Sequence, residues 1–82
     1  MEKLTLELIV SNQYGVLNRI TGLYARRGFN IHSLNVKPTE QVSISKMIIV
    51  SEADEVTRNQ MISQLDKLFD VISVTQLDCE EV

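Results

Sequence analysis

The sequence contains few of the residues that build metal centres and disulfides. Its 82 residues include one cysteine, Cys79, one histidine, His32, and no tryptophan. A single cysteine cannot close a disulfide within the chain, and no Cys/His cluster with metal-ligand spacing surrounds either residue. The sequence therefore excludes a structural zinc site and disulfide redox chemistry.

Patterns typical of catalysis are also lacking. No two carboxylates stand at a recognisable spacing, and a chain with one imidazole supports neither a Ser–His nor a Cys–His pairing. A histidine without a partner motif is typical of a surface or packed position rather than of a general base. We therefore predict that the chain is not an enzyme.

Positive charge is scarce and scattered. Eight Lys and Arg residues stand against eleven Asp and Glu residues, for a formal net charge of −3. Binding to nucleic acid requires a clustered excess of basic residues. The adjacent pair Arg26 and Arg27 fits either the last turn of a helix, where cations favour the negative end of the dipole, or an anion site. We expect no nucleic-acid partner.

Long hydrophobic runs are missing as well. The N-terminal segment "MEKLTLELIV" carries a glutamate at position 2 and alternates polar with apolar residues, so it is neither a signal peptide nor a membrane span. We predict a cytoplasmic chain with no membrane partner. A chain of 82 residues supports one domain with a modest core, so we expect it to form an oligomer.

Hydrophobic periodicity predicts six elements in the order β-α-β-β-α-β. Strand one covers residues 3–10, helix one runs from Val16 to a stop at Gly28, strand two covers 29–37 and ends at Pro38, strand three covers 42–50, helix two covers 53–68, and the last strand covers 70–78. In helix two we expect Val56, Met61, Ile62, Leu65 and Leu68 to face inward and Asp54, Glu55, Arg58 and Lys67 to stay exposed.

This order predicts an α+β, ferredoxin-like βαββαβ fold with a four-stranded antiparallel sheet and both helices on one face. Strand two is expected at an edge, with Phe29, Ile31, Ser33 and Asn35 on one face and His32, Leu34 and Val36 on the other. Strand three is apolar on both faces, as a central strand is. Because it lacks aromatic residues, the RNA-binding form of this fold is excluded. Ile9 and Val50, if they project from the face without helices, would need a partner.

The segment "NQYGVLNRI", residues 12–20, is the most informative local motif. It predicts a tight turn that leads directly into helix one, with Gly15 at the junction. Free N–H groups at a helix start, approached closely over a glycine, suit a carboxylate or another anion. Asn12 fits two interpretations, a ligand-orienting amide or a structural cap, and Asn30 is compatible with an ordinary turn residue.

Several segments together carry a family resemblance: "NQYGVLNRITGLYARRGFNIHSLNVKPTE", then "SKMIIV", then "QLDKLFDVISVTQL". From about Lys3 to Leu77, their order and spacing closely resemble the ACT domain at the N-terminus of the regulatory small subunit of acetolactate synthase, also called acetohydroxyacid synthase. The resemblance implies a non-catalytic subunit that activates a separate catalytic large subunit. Thiamine diphosphate, Mg²⁺ and FAD are then expected in that large subunit, with no cofactor or metal in this chain.

The resemblance also implies a ligand site. In that family the domain pairs side by side into a homodimer, and branched-chain amino acids, valine above all, bind at the interface and inhibit the catalytic subunit. The turn after strand one and an asparagine that begins strand two of the other protomer hold the ligand's carboxylate and ammonium groups. The matching positions are Asn12, Gly15, Val16 and Leu17 of one protomer and Asn30 with Ile31 of the other.

Two departures from the family pattern stand out. Small subunits of this family often carry a second, C-terminal domain, whereas we expect here a single ACT domain over residues 1–78 and a polar tail over 79–82. Tyr14 also stands where a smaller residue or proline is expected. An alternative function is a stand-alone ACT-type amino-acid sensor or dimerisation module that acts on another enzyme or regulator.

Overall fold

The computed structural model describes residues 2–77, which fold in the predicted element order. The elements are β1 (Glu2–Ser11), α1 (Val16–Arg26), β2 (Ile31–Pro38), β3 (Ile44–Ala53), α2 (Glu55–Asp66) and β4 (Val71–Leu77). The last residue of the predicted final strand, the predicted tail over 79–82 and Cys79 lie outside the described residues. Within residues 2–77, neither helix is long and apolar enough to cross a membrane.

The four strands form one antiparallel sheet in the order β2-β3-β1-β4. The predictions that strand two lies at an edge and strand three in the centre are therefore confirmed. Pro38 closes β2 opposite Ser45, and proline is tolerated at the end of an edge strand, which pairs on one side only. The predicted ferredoxin-like fold is confirmed.

Both helices cover the same face of the sheet. One buried cluster contains alternate residues of the two central strands and the inward side chains of each helix. Its members are Leu4, Leu6, Leu8 and Val10 of β1, Val16, Ile20, Leu23 and Tyr24 of α1, Met47, Ile49 and Ala53 of β3, Met61 and Leu65 of α2, and Val71 of β4. On the other face Ile9 is partly exposed, Val50 is buried, and Lys46 pairs with Glu7 at 3.4 Å.

The ends of β3 differ from the sequence prediction. The strand begins at Ile44, not at residue 42, and it continues to Ala53. Val42 and its neighbour stay in the β2–β3 loop because the Ile44 N–H closes a turn onto Gln41 O at 3.1 Å. As a result the Val42 side chain is almost fully exposed.

The expected face alternation of β2 is wrong from Ser33 onward. The pairing of β2 with β3 shifts by one residue between Ile31 and Ser33. Ile31 and Leu34, which strict alternation places on opposite faces, both pack against the core. A bulge of this kind leaves one residue, here His32, outside the ladder, so it reverses the facing of every later position. His32 Nε2 lies 3.6 Å from Glu52 Oε2 at the surface.

The predicted stop of α1 at Gly28 is confirmed. Gly28 has a φ of 77°, which is the left-handed conformation that favours glycine. Its N–H donates to Ala25 O at 3.0 Å and the Phe29 N–H donates to Tyr24 O at 3.0 Å, the two bonds of a Schellman motif. The Tyr24 and Phe29 rings add an edge-to-face contact with centroids 6.2 Å apart. This contact fixes the direction in which the chain enters β2.

Helix α2 packs inward through fewer residues than predicted. Met61 and Leu65 are buried and Ile62 and Leu68 pack against the core, whereas Val56 is 67% exposed. The inward prediction for Val56 is wrong because five residues separate it from Met61, which is about 140° around a helix. Arg58, predicted to stay exposed, is half-buried and its Nε is enclosed.

Tyr24 places a polar hydroxyl group in the hydrophobic core. Its ring is fully buried, and its hydroxyl has no hydrogen-bond partner among the described residues. Burial raises the pKa of this hydroxyl well above its usual 10.0. We expect Tyr24→Phe to leave the free energy of unfolding unchanged or to raise it by up to about 1 kcal/mol, since an unsatisfied polar group is removed.

The pH dependence of the free energy of unfolding at alkaline pH provides the control for Tyr24→Phe. Because the hydroxyl ionises more readily in the unfolded chain than in the fold, the free energy of unfolding is independent of this group below pH 10.0 and falls as the pH rises from there toward the raised folded pKa. Denaturant titrations at pH 7 and above pH 10 should show a smaller alkaline loss for the variant. An equal loss of stability above pH 10 in the wild type and the variant would contradict the burial of the Tyr24 hydroxyl.

The N-terminus of α2 is capped by Asp54. Its Oδ1 accepts from the Thr57 N–H at 2.8 Å, and hydrogen bonding from the Thr57 side chain and N–H holds the Asp54 pKa below its usual 3.8. A lowered folded pKa stabilises the domain above pH 3.8, and the effect is lost as the pH falls through the lower folded value. We expect Asp54→Ala to lower the melting temperature at pH 7. Asp54→Asn keeps a cap and should remove only the acid dependence.

Candidate functional site

The turn that joins β1 to α1 is fastened to the ends of both neighbouring strands. The Ser11 N–H donates to Asp70 O at 2.7 Å, and the Asn12 N–H donates to Ser43 O at 2.7 Å. Inside the turn the Gln13 N–H donates to Ser11 O at 2.8 Å. Main-chain bonds to both neighbouring segments therefore hold the start of this turn in place.

Gly15 is the N-cap of α1 and has a φ of 86°, in the left-handed region. Because glycine has no side chain, no cap hydrogen bond closes the first turn, whereas Asp54 provides one for α2. The Val16 N–H donates to Gln13 O at 3.3 Å, but the Leu17 and Asn18 N–H groups make no hydrogen bond within residues 2–77. Two main-chain donors thus remain open at the positive end of the helix dipole.

The side chain of Asn12 is oriented by the β2–β3 loop. Its Nδ2 donates to Val42 O at 3.3 Å. Its Oδ1 accepts no hydrogen bond from the described residues. An amide held by its nitrogen presents its oxygen as an acceptor, which suits an ammonium group. The structural role of Asn12 is therefore to support the β2–β3 loop rather than to cap α1, whose N-cap is Gly15, and a ligand-orienting role stays a prediction.

Sequence reasoning missed an ion pair beside this turn. Arg19 of α1 pairs with Asp70, whose side chain is 9% exposed in the segment before β4. A Cβ on Gly15 would lie 3.4 Å from Arg19 Nη1, so the guanidinium adjoins the helix start. Arg19 stands one helical turn after Gly15, and this spacing could have indicated that it lies near the helix start. Nothing in the sequence indicates that Asp70 is its partner. The pair places a partly neutralised positive charge next to the open donors.

The apolar residues of the predicted site separate into two environments. Val16 is buried in the core, so it offers a ligand little beyond its main chain. Leu17 is 45% exposed and stands beside the open N–H groups. Leu17 is thus the residue of this turn that can contact the side chain of a small apolar ligand.

Asn30 and Ile31 lie at the opposite end of the sheet from the turn. Ile31 is level with Ser51 and Leu4, near the start of β1, whereas the turn follows Ser11 at its end. Seven strand residues between these levels correspond to about 23 Å. Asn30 is exposed and Ile31 is partly buried. Within one chain, the structure therefore does not bring the two halves of the predicted site together.

Two surface cavities lie away from this turn, along the helical face. One, of about 210 Å³, is lined by Arg27, Phe29, Thr57, Gln60 and Met61. The other, of about 370 Å³, is a more open groove that also contains Arg27 and follows the outer side of α2. Among the described residues, no three His, Cys, Asp or Glu side chains are grouped closely enough to hold a metal ion.

Comparison with known proteins identifies relatives along nearly the whole chain. The chain is 47% identical over 75 residues to the probable acetolactate synthase small subunit of Archaeoglobus fulgidus, which covers 92% of this chain and 47% of that protein. It is 42% identical over 72 residues to the acetolactate synthase isozyme 3 small subunit of Escherichia coli, and this match covers 88% of this chain and 44% of that protein. The chain thus spans about half the length of these relatives.

Solved structures agree with the sequence comparison. The acetolactate synthase small subunit of Thermotoga maritima superposes with a TM-score of 0.85 at 34% identity, over 96% of this chain and 49% of that one. The ACT domain from GTP pyrophosphokinase of Chlorobium tepidum superposes with a TM-score of 0.76 at 17% identity, over 92% of this chain and 96% of that one, which shows a shared fold alone. The family model for the AHAS small subunit-like ACT domain matches residues 6–73, and the chain belongs to that family.

Proposed function

We propose that this chain is a non-catalytic regulatory small subunit of acetolactate synthase. In this proposal it activates the catalytic large subunit and binds a branched-chain amino acid, principally valine, between two ACT domains for feedback inhibition. The observation that carries the proposal is the open start of α1. With Gly15 as the N-cap, the Leu17 and Asn18 N–H groups have no hydrogen-bond partner among residues 2–77, in a family named for the acetolactate synthase small subunit.

The charges and polar atoms of the turn suit the backbone of an amino acid. The open N–H groups and the helix dipole favour the ligand's carboxylate, and the nearby Arg19 guanidinium adds to this preference. Asn12 Oδ1 is oriented to accept from the ammonium group. These complementary groups lie on one short segment, so they would recognise the part that all amino acids share.

A homodimer through the free edge of β2 would complete the site. In a two-fold antiparallel pairing, the start of the partner's β2 lies beside the end of this β2. The end of β2 is level with Ser45 and Val10, one residue before the end of β1. Asn30 of the partner subunit would then approach the turn that Asn30 of the same chain cannot reach. This geometry supports a site shared between two protomers.

The ligand's side chain would be selected by apolar contacts. Leu17 of one protomer and Ile31 of the other would face a branched aliphatic group, because both side chains are partly exposed. One methylene in such a pocket is worth about 1 to 3 kcal/mol. Leucine and isoleucine are therefore expected to compete with valine at higher concentrations.

Regulation requires that the amino acid prefers one state of the assembly. Coupling free energies of this kind are typically about 1 to 3 kcal/mol, which corresponds to roughly 5- to 150-fold changes in affinity. The proposal assigns thiamine diphosphate, Mg²⁺ and FAD to the catalytic large subunit. The ACT dimer would contribute binding energy to that assembly without a reactive group of its own.

Two measurements on the full chain test the proposal. Calorimetric titration with valine, leucine and isoleucine, with the mass in solution determined on the same sample, should show saturable binding at one or two sites per dimer. Acetolactate formation by the purified large subunit should rise when the chain is added and fall again with valine. Activation without amino-acid binding would retain the subunit assignment but reject the ligand site.

A further inference from the structure

Strand β4 contains an irregularity just after Asp70. Its pairing with β1 shifts by one residue after Ile9, and Val71 then lies opposite Val10. A regular strand would put Asp70 level with the residue after Ser11, whereas the shift puts it level with Ser11 itself. The Ser11 N–H donates to Asp70 O at 2.7 Å, in agreement with this level. Bulges redirect side chains near functional sites, and this one sets the position of Asp70 beside the candidate turn.

The side chain of Asp70 is buried, which is unusual for a carboxylate. It is 9% exposed, and its Oδ2 accepts from Nη2 of Arg19. A buried carboxylate is costly unless it is paired and hydrogen-bonded. The Arg19 side chain is 51% exposed, so water could solvate it without a partner. Asp70 is thus the fixed member of the pair, and it determines where the guanidinium group of Arg19 lies.

The pairing leaves one edge of this guanidinium group free. Asp70 engages Nη2, whereas Nη1 makes no hydrogen bond with residues 2–77 and lies 3.4 Å from the position of a Cβ on Gly15. Nη1 is therefore at the same end of α1 as the open Leu17 and Asn18 N–H groups. A guanidinium group has five N–H donors in a rigid plane, so it can donate to two carboxylates at once.

We infer that Asp70 is a positioning residue of the candidate ligand site, because it holds Arg19 where the free Nη1 meets the carboxylate of a bound amino acid. This inference rests on the proposed function, since it concerns the same ligand. An arginine without this restraint would lose conformational freedom when the ligand binds. Asp70 removes that loss in advance.

The sign of the effect on affinity separates positioning from two other roles. The Asp70 carboxylate is negative, so its removal would tighten valine binding if only its charge mattered. If Asp70 only stabilised the fold, its removal would lower the melting temperature without changing the preference among ligands. Positioning predicts that a folded variant without the carboxylate binds valine more weakly.

Calorimetric titration of the full chain at pH 7 tests the inference with two probes. These are L-valine and L-valinamide, which keeps the ammonium group but lacks the carboxylate. Asp70→Ala should weaken valine binding about tenfold and leave valinamide binding within about twofold of the wild type. Asp70→Asn retains an acceptor for Arg19 and should restore part of the lost valine affinity. The matched control Asp66→Asn removes an exposed carboxylate at the end of α2 and should change neither affinity.

Two further variants complete a double-mutant cycle. If Asp70 acts through Arg19, Arg19→Met should lose at least as much valine affinity as Asp70→Ala. The double variant Arg19→Met/Asp70→Ala should then bind valine no more weakly than Arg19→Met does. The double variant also removes both charges, so it leaves no unpaired carboxylate in the fold. Circular dichroism and thermal melting verify that each variant is folded.

The outcomes distinguish this inference from the proposed function. If the wild type binds valine and Asp70→Ala binds it equally well or more tightly, the positioning role alone is overturned. Additive losses in the cycle, or equal losses for valine and valinamide, also overturn it, because Asp70 then acts independently of Arg19 or through the fold. A wild-type chain that binds no valine overturns both the positioning role and the proposed ligand site.

Discussion

Replacement of Gly15 by aspartate is expected to abolish valine binding while the domain stays folded. Aspartate is among the residues that tolerate the left-handed conformation of Gly15, whose φ is 86°. Its carboxylate would cap the open N–H groups of α1 and occupy the position proposed for the ligand's carboxylate. We expect affinity to fall roughly a hundredfold or more, which corresponds to about 3 kcal/mol, as measured by calorimetry.

The neutral variant Gly15→Asn is the matched control for this charge. Asparagine has nearly the same shape and also caps a helix, but it does not repel a carboxylate. It should therefore weaken valine binding less than Gly15→Asp does. Equal valine binding by Gly15→Asp and the wild type would show that the start of α1 is not part of the ligand site.

Mixed dimers test whether the site is shared between protomers. In a dimer of one Gly15→Asp chain and one Asn30→Ala chain, a shared arrangement combines both defects in one site and leaves the other intact. We expect such a dimer to bind valine at half the sites, although each parent homodimer binds weakly. If the mixed dimer also binds weakly at every site, Gly15 and Asn30 do not act across an interface.

Leu65→Ala should cause the largest loss of stability among the variants considered. Leu65 is fully buried, and Met61 is the other buried residue that anchors α2 to the sheet. Truncation of a buried leucine costs about 2 to 5 kcal/mol, and a domain of this size has about 5 to 15 kcal/mol in total. Chemical denaturation should show a lower midpoint.

Val56→Ala is the control for Leu65→Ala on the same helix. Because Val56 is 67% exposed, its truncation should change the free energy of unfolding by no more than about 0.5 kcal/mol. A loss comparable to that of Leu65→Ala would mean that Val56 faces the core, as the sequence interpretation expected. The pair of variants therefore measures the orientation of α2.

The element order was predictable because the hydrophobic periodicity and the residues that typically end helices and strands agreed along the chain. Alternating leucines indicated β1, and Gly28 indicated the end of α1, where the Schellman motif occurs. The β2 bulge was not predictable, because a one-residue register shift depends on pairing with β3 rather than on the composition of β2. The β-branched side chain of Val42 favours a strand, but turn bonds keep it in a loop.

The candidate site was predictable only in part. The position of Gly15 before an apolar helix indicated an anion-binding start, and the left-handed φ with open N–H groups has the geometry that this use requires. The Arg19–Asp70 pair joins residues 51 positions apart, and a single sequence contains no signal for such a contact.

The central position of β1 also constrains how the chain can fold during synthesis. This strand is made first, yet its partners are β3 and β4, and Thr5 pairs with both Val50 and Leu77. A nascent chain cannot complete the sheet until β4 has left the ribosome, because contacts of such long sequence separation form only when both segments are available. We therefore expect the domain to fold after its last strand emerges rather than progressively from the N-terminus.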